Sequence, residues 1–420
     1  MKMKDSGIAW IGEIPEEWEL SKIGAVYEER NQKVSDADFP PLSVTKQGVV
    51  PQLETAAKTI DGENRKLICK NDFVINSRSD RRGSCGISEY DGSCSLINTV
   101  LKPRRNMCNA YYSFVFRSER FADEFYRWGN GIVDDLWSTK WSNMKRIYIP
   151  APSLQEQHRI ADYLDRKCSQ IDAIIARQQE VIEKLKAYKL SGITEAVTKG
   201  LNPHAPMKDS GVEWIGEIPE QWTKVRLKNI CQFINGDRSS NYPSPNEYVD
   251  EGIPFLGADS LYGRYVDIIQ SKKITKEKYH SMGGAKIQKG DILYTLRGST
   301  IGKNALSTFD EGTVASSLMV IRPTSLLSNF LLYWLNSEEE FQQRQSYING
   351  STAPNLSAEN VGSFIMFLPS KVEQQEIADY LDKKCAEIES TILKKQMLVE
   401  WLGKYKKSLI YEVVTGKKEV

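Results

Sequence analysis

The sequence predicts a mixed α/β chain in which two α/β domains are joined by two long helices. Three observations predict it. One segment recurs on either side of a divergent stretch, helical periodicity runs unbroken through a long segment of each copy, and short β-rich runs sit between turn signals.

The repeat comes first because it sets the organisation. Residues 4–18, KDSGIAWIGEIPEEW, recur at 208–222 as KDSGVEWIGEIPEQW, 12 of 15 identical at an offset of 204. IADYLDRKC at 160–168 recurs as IADYLDKKC at 377–385, 8 of 9 identical at an offset of 217. EAVTKG at 195–200 matches EVVTGK at 412–417. Solenoids stack several short repeats, so two copies this large are a duplicated unit instead. The segments that stay alike must do one job twice, and the divergent middles, the second 13 residues longer, are free to differ.

Residues 153–200 read as one long helix. Ser153 can cap it, with Glu156 three residues on. Apolar residues return at Ile160, Leu164, Ile171, Ile174/Ile175, Val181/Ile182, Leu185 and Tyr188. Ile377, Leu381, Ile388, Ile392, Leu398/Val399, Leu402 and Tyr405 repeat the phase in 370–420, and no proline interrupts either stretch. Roughly 44 residues at about 1.5 Å rise give a rod of about 65 Å. A helix of that length with one apolar stripe needs a partner helix, and the obvious partner is its own copy.

The divergent segments, 19–150 and 223–368, read as α/β domains. DFVINSR (72–78), DILYTLRG (291–298), VASSLMVIRP (314–323) and FIMFLPS (364–370) are strand-like. A helical stretch at 111–125 parallels one at 330–344, and Asp72–Arg78 falls on Asp291–Arg297. Polar loops follow at 77–84, 135–143, 296–303 and 349–360. They offer Arg78, Arg81, Arg82, Ser138 and Lys140 in the first domain, and Arg297, Ser299, Thr300, Lys303, Ser351, Thr352 and Asn355 in the second. These are the side-chain types that read base edges and grip phosphates, although any one such loop is equally an ordinary surface connection.

Composition excludes more than it assigns. With 40% hydrophobic and 26% charged residues the chain is globular, and net charge +1 excludes a uniformly basic surface while leaving local ones open. Eight Lys/Arg between Lys272 and Lys303 face only Glu277 and Asp291. Seven cysteines without a CxxC and three histidines argue against a zinc site, so reduced, mostly buried thiols are expected. No run is long and apolar enough for a membrane helix, and MKMKDSG lacks a signal-peptide core, so a cytoplasmic protein is expected. No phosphate loop, G-x-S-x-G or H-E-x-x-H stands out. Asp38-Phe-Pro-Pro41 does not make the [Asn/Asp]-Pro-Pro-aromatic motif of amino-methyltransferases.

The doubled KDSGxxWIGEIPExW, the doubled IADYLDxKC after Pro152 and Pro369, and the divergent middle of each copy resemble the specificity subunit of Type I restriction–modification systems. The resemblance covers essentially the whole chain. It implies domains at 1–152 and 201–369, each carrying a repeat anchor and a target recognition domain for one half of a split DNA site. It also implies spacer helices at 153–200 and 370–420, paired antiparallel as a coiled coil with an internal pseudo-two-fold.

The partners implied are double-stranded DNA and two methyltransferase subunits, which a restriction subunit can join. S-adenosylmethionine, ATP and Mg belong to those partners, so this chain is expected to be non-catalytic, with no cofactor or metal of its own. Two rival readings make different predictions. A helical scaffold whose divergent domains bind proteins shows no salt-dependent DNA affinity, and a self-sufficient methyltransferase binds cofactor alone.

Overall fold

The computed structural model describes residues 2–52, 62–78, 81–132, 137–237, 239–269, 271–348 and 355–420. The chain falls into two compact units, residues 1–179 with 396–420, and residues 180–395. The first unit therefore combines the first divergent segment with parts of both long helices.

In each unit the repeated segment is a β-hairpin. Met3–Asp5 pairs antiparallel with Glu13–Pro15, and Met207–Asp209 pairs with Glu217–Pro219 in the same register. The KDSG sequence dictates the bend. Asp5 Oδ1 accepts from Gly7 N at 2.9 Å, as Asp209 Oδ1 does from Gly211 N at 2.9 Å. Gly7 and Gly211 both sit at φ +68°, where a side chain would be strained. Behind the turn Ile11, Ile14 and Trp18, and in the second copy Ile215, Ile218 and Trp222, are buried.

Each hairpin closes over the C-terminal end of a long helix. In the first unit that helix is Lys371–Val414, and in the second it is Leu154–Lys199. Gly416 (φ +71°) and Gly200 (φ +72°) follow the two ends in the left-handed conformation that stops helices. Thr415 Oγ1 donates to Tyr411 O at 2.6 Å, and Thr198 Oγ1 to Thr194 O at 2.6 Å. This shared ending accounts for the likeness of AVTKG and VVTGK.

Within each unit the two helices run antiparallel. In the first, Lys406 Nζ lies 2.6 Å from Asp172, while Tyr111, beside Glu156, donates to Val414 O at 2.9 Å. In the second, Lys189 pairs with Glu389 and Gly200 lies against Glu373. Ser153 and Ser370 cap the helix starts, each accepting from the backbone N–H three residues on at 3.3 Å. Ile160, Leu164 and Ile171 enter the first unit's core with Leu402, Leu409 and Val413. Ile377, Leu381 and Cys385 enter the second's with Ile193, Ala196 and Val197.

One glutamine in each copy locks helix to domain. Gln157 Nε2 donates to Pro152 O at 2.8 Å and Gln157 Oε1 accepts from Cys108 N at 2.9 Å. Gln374 repeats both bonds, to Pro369 O and from Leu327 N, at 2.9 Å each.

The divergent segments share a central motif of three antiparallel strands. Phe73–Asn76 lies between Cys85–Ile87 and Asn98–Pro103, and Ile292–Thr295 lies between Asn304–Leu306 and Leu318–Pro323. Around it the domains differ: the first has four- and three-stranded sheets, the second six- and four-stranded ones. The mixed α/β expectation is met. Each expected single helical stretch is instead two helices, Asn109–Arg117 with Glu119–Arg127, and Ser328–Trp334 with Glu338–Tyr347. The break falls at a serine in both. Ser118 (ψ 144°) and Ser337 (ψ 167°) are extended, and each hydroxyl donates to the carbonyl three residues back at 2.7 Å.

Candidate nucleic-acid interface

The central strand of each domain ends in an exposed arginine. Phe73–Asn76 leads through Ser77 to Arg78, and Ile292–Thr295 leads through the buried Leu296 to Arg297. A carboxylate at each strand's start holds it in place. Asp72, buried, accepts from Arg30 Nε at 2.6 Å and from Cys69 N at 2.8 Å. Asp291, also buried, accepts from Arg322 Nη2 at 2.7 Å and from Gln288 N at 2.8 Å. The bond to the carboxylate raises the pKa of each guanidinium and fixes its charge. Arg322 lies on the strand Leu318–Pro323 whereas Arg30 lies just beyond the strand Tyr27–Glu29, so the same brace was reached from different sequence.

Beyond the strands, both domains bring two polar loops together in one way. Arg78 forms an isolated antiparallel bridge with Ser138, and Arg297 forms one with Asn355. Thr139 N donates to Ser77 O at 2.9 Å, and Leu356 N donates to Leu296 O at 2.9 Å. The loop after the central strand is thus zipped to the loop before the last short helix. Arg78 and Ser138 meet in the first domain, Arg297 and Asn355 in the second, although the paired residues lie far apart in the chain.

Other candidates differ in setting. Arg82 is not a freely presented cation: it ion-pairs with Asp123 at 3.2 Å, and its guanidinium lies 3.9 Å from the Tyr126 ring centroid. Tyr126 in turn packs at 5.7 Å against Trp137, whose indole N–H donates to Tyr126 O at 2.9 Å. Arg81 is exposed in the turn after Arg78, and Lys140 is exposed at the start of the short helix Trp141–Met144. Ser299 and Thr300 are exposed between Gly298 (φ +85°) and Gly302 (φ +87°). A Cβ on Gly302 would lie 2.4 Å from Arg344 Nε, so this loop requires glycine at that position. Lys303 is half-buried, donating to Ala258 O at 3.2 Å with its ammonium 5.5 Å from the Tyr262 ring. Ser351 and Thr352 lie outside the described residues.

The basic run 272–303 is partly spent inside the fold. Lys278 pairs with Glu247 at 2.7 Å, Lys273 donates to Asp250 O at 3.1 Å, and Lys286 donates to Tyr279 O. Lys272, Lys276, Lys289 and Arg297 remain exposed. Tyr126 and Tyr262, each beside a candidate cation, and Trp137, packed on Tyr126, were not singled out in the sequence. The cation–ring pairs join residues too distant in the chain for any spacing to reveal.

Among the described residues no group of three or more His, Cys, Asp or Glu is placed to hold a metal ion, and no helix is long and apolar enough to cross a membrane.

Comparison with known proteins places the chain. The Type I restriction modification DNA specificity domain matches twice, at residues 15–184 and 219–396. The chain is similar to the Type I restriction enzyme MjaVIII specificity subunit of Methanocaldococcus jannaschii, 25% identical with 96% of this chain and 93% of that one covered. It is 27% identical to the EcoBI specificity subunit of Escherichia coli over 58% of this chain and 52% of that one. Its fold matches a chain from a type I R-M system with TM-score 0.73 at 16% identity, covering 96% of this chain and 99% of that one. The HsdS subunit of Thermoanaerobacter tengcongensis matches with TM-score 0.56 at 17% identity over 96% and 98%. With one specificity domain matched in each half, the chain belongs to the family of Type I restriction–modification specificity subunits.

Proposed function

We propose that the two units read the two halves of a bipartite DNA site, one α/β domain to each half, and that the long helices set the separation between them. The observation that carries this reading is the matched pair of zipped loops. Arg78 with Ser138 and Arg297 with Asn355 occupy equivalent places on one scaffold, while the residues around them differ. Equivalent placement suits one task performed twice, and unlike side chains suit two different half-sites. The 46 residues of the first long helix at about 1.5 Å rise span about 69 Å, so helix length rather than loop sequence fixes the unread gap.

The alike parts, each a hairpin closed over a helix end, supply two similar surfaces for two methyltransferase subunits. In this reading the chain performs no chemistry. The partners bring S-adenosylmethionine, and a restriction subunit brings ATP and Mg.

Fluorescence anisotropy of duplex DNA titrated with the chain and a methyltransferase subunit at several salt concentrations tests the reading. Affinity should fall steeply and log-linearly with salt. Salt-independent binding, or none, would favour a scaffold whose divergent domains bind proteins.

A further inference from the structure

The two copies of the repeat finish one contact differently. In the first unit the end of the second helix presents Lys407 and Tyr411 to the α/β domain. Lys407 ion-pairs with Glu119, and the Tyr411 ring lies 4.8 Å from the guanidinium of Arg120. The Tyr411 hydroxyl donates to Ile11 O at 3.0 Å. Trp10 of the hairpin is 6% exposed and packs edge-on against Phe121 at 5.6 Å. Ring, cation and hairpin thus close on one another within the unit, although the Trp10 indole N–H is buried without a hydrogen-bond partner.

The second unit carries Leu190 and Thr194 where the first has Lys407 and Tyr411, as the aligned helix ends show. After the serine break it carries Glu338 and Glu339 where the first has Glu119 and Arg120. Both the aromatic ring and the cation are therefore missing. A groove runs between the helix end, the hairpin and the helix Glu338–Tyr347, lined by Leu190, Ser191, Thr194, Trp214 and Glu339. Trp214, the counterpart of Trp10, is 59% exposed. Glu339 is only 6% exposed, and its Oε2 is buried with no hydrogen-bond partner.

A buried carboxylate oxygen lacking a donor is costly, and the cost is relieved when a donor arrives. Burial pushes the Glu339 carboxyl up to about 7, Glu338 adds to the rise, and a bond from Trp214 opposes it. Glu195 and Glu338 also line the groove against a single base, Lys199, so phosphate is repelled and a cation attracted. Among cations a guanidinium fits best, since it is planar, stacks on an indole face and bonds a carboxylate through two N–H groups.

We propose that this groove receives an arginine side chain presented by a protein partner, its guanidinium on Glu339 and its plane against Trp214. The partner thereby completes in the second unit what Arg120 and Tyr411 complete within the first. The two otherwise similar surfaces are then not equivalent, because only the second needs a guest. This rests on the reading of the chain as one that docks protein subunits.

The test uses the full chain labelled with 5-fluorotryptophan, the Trp214 signal being assigned with Trp214→Phe. The probe is acetyl-Gly-Arg-Gly amide, with its citrulline isostere as the neutral control. The arginine peptide should shift the Trp214 signal saturably while leaving Trp10 unmoved, and Glu339→Gln or citrulline should weaken the response about tenfold or more. Leu190→Lys, which copies Lys407, should have the same effect. No response, an equal response to citrulline, or an unchanged response in Glu339→Gln would overturn the proposal.

Co-purification with a methyltransferase subunit separates the two readings. If the wild-type chain fails to bind it, docking is wrong and the peptide result stands by itself. If wild type and both variants bind alike, the groove is not its seat and the inference falls.

Discussion

Replacing Gln157 with leucine should unseat the first long helix from its domain and leave the second unit intact. Both of its amide bonds reach buried partners, the carbonyl of Pro152 at 2.8 Å and the N–H of Cys108 at 2.9 Å. Leucine keeps the volume but strands one buried acceptor and one buried donor. Each unsatisfied group costs about 1–3 kcal/mol, so the pair should cost about 3 kcal/mol, or roughly 6–12 °C in melting temperature for a unit of this size. Gln374→Leu strands a buried carbonyl and a half-buried N–H and should cost slightly less, in the other unit. Hydrogen exchange read by mass spectrometry localises the damage. Peptides around 106–112 and 150–160 should lose protection in Gln157→Leu, and those around 325–331 and 367–377 in Gln374→Leu. A loss below about 1 kcal/mol would refute the view that these repeated glutamines anchor helix to domain.

Three further outcomes follow from the same geometry. Glu339, pushed up to about 7 mainly by burial, opposes folding once ionised. Its destabilisation therefore grows as pH rises from about 4.5 toward 7, and Glu339→Gln should stabilise the chain by about 1–2 kcal/mol at pH 8 but not at pH 4, after discounting for solvent screening. Urea melts at the two pH values check this, and an equal effect at both would contradict it. Burial raises the Cys85, Cys94 and Cys231 thiols to about 12, and Cys69, whose thiol burial also raises, is the one cysteine that is only half-buried. Iodoacetamide at pH 8 should therefore modify Cys69 first in the native chain, as peptide mapping would show. Finally, removing four residues near 176–179 together with four near 393–396 should shorten the unread gap in the methylated site and leave both half-sites unchanged. Methylome sequencing that finds an unchanged gap would sink the spacer role.

What the sequence disclosed depended on the range of the interactions. The duplication, the helix cap at Ser153 and much of the long apolar stripes rest on neighbours within a few residues and were legible. The cap at Ser370 was not read, and Ile174, Tyr188, Leu398 and Tyr405 of the stripes are exposed. The hairpin was not, although Asp5-Ser-Gly7 is a turn signal, because its strands are only three residues long and carry little alternation. The helix breaks at Ser118 and Ser337 were missed because the apolar periodicity runs straight through a capping serine. Among the candidate site residues, the strand alignment put Arg78 and Arg297 in equivalent places. Their partners Ser138 and Asn355 could be named only as members of polar loops, since tertiary packing alone zips loops so far apart in the chain.

The claim that each unit reads one half-site is tested most directly by methylome sequencing of a host carrying the double substitution Arg297→Ala with Asn355→Ala. Both side chains are exposed, so the fold should tolerate the change. Each lost base contact should cost about 1–3 kcal/mol of discrimination. The account predicts one half-site relaxed at one or two positions, the other half-site intact and the gap between them unaltered. Relaxation of both half-sites together, or a methylated sequence identical to wild type, would contradict it.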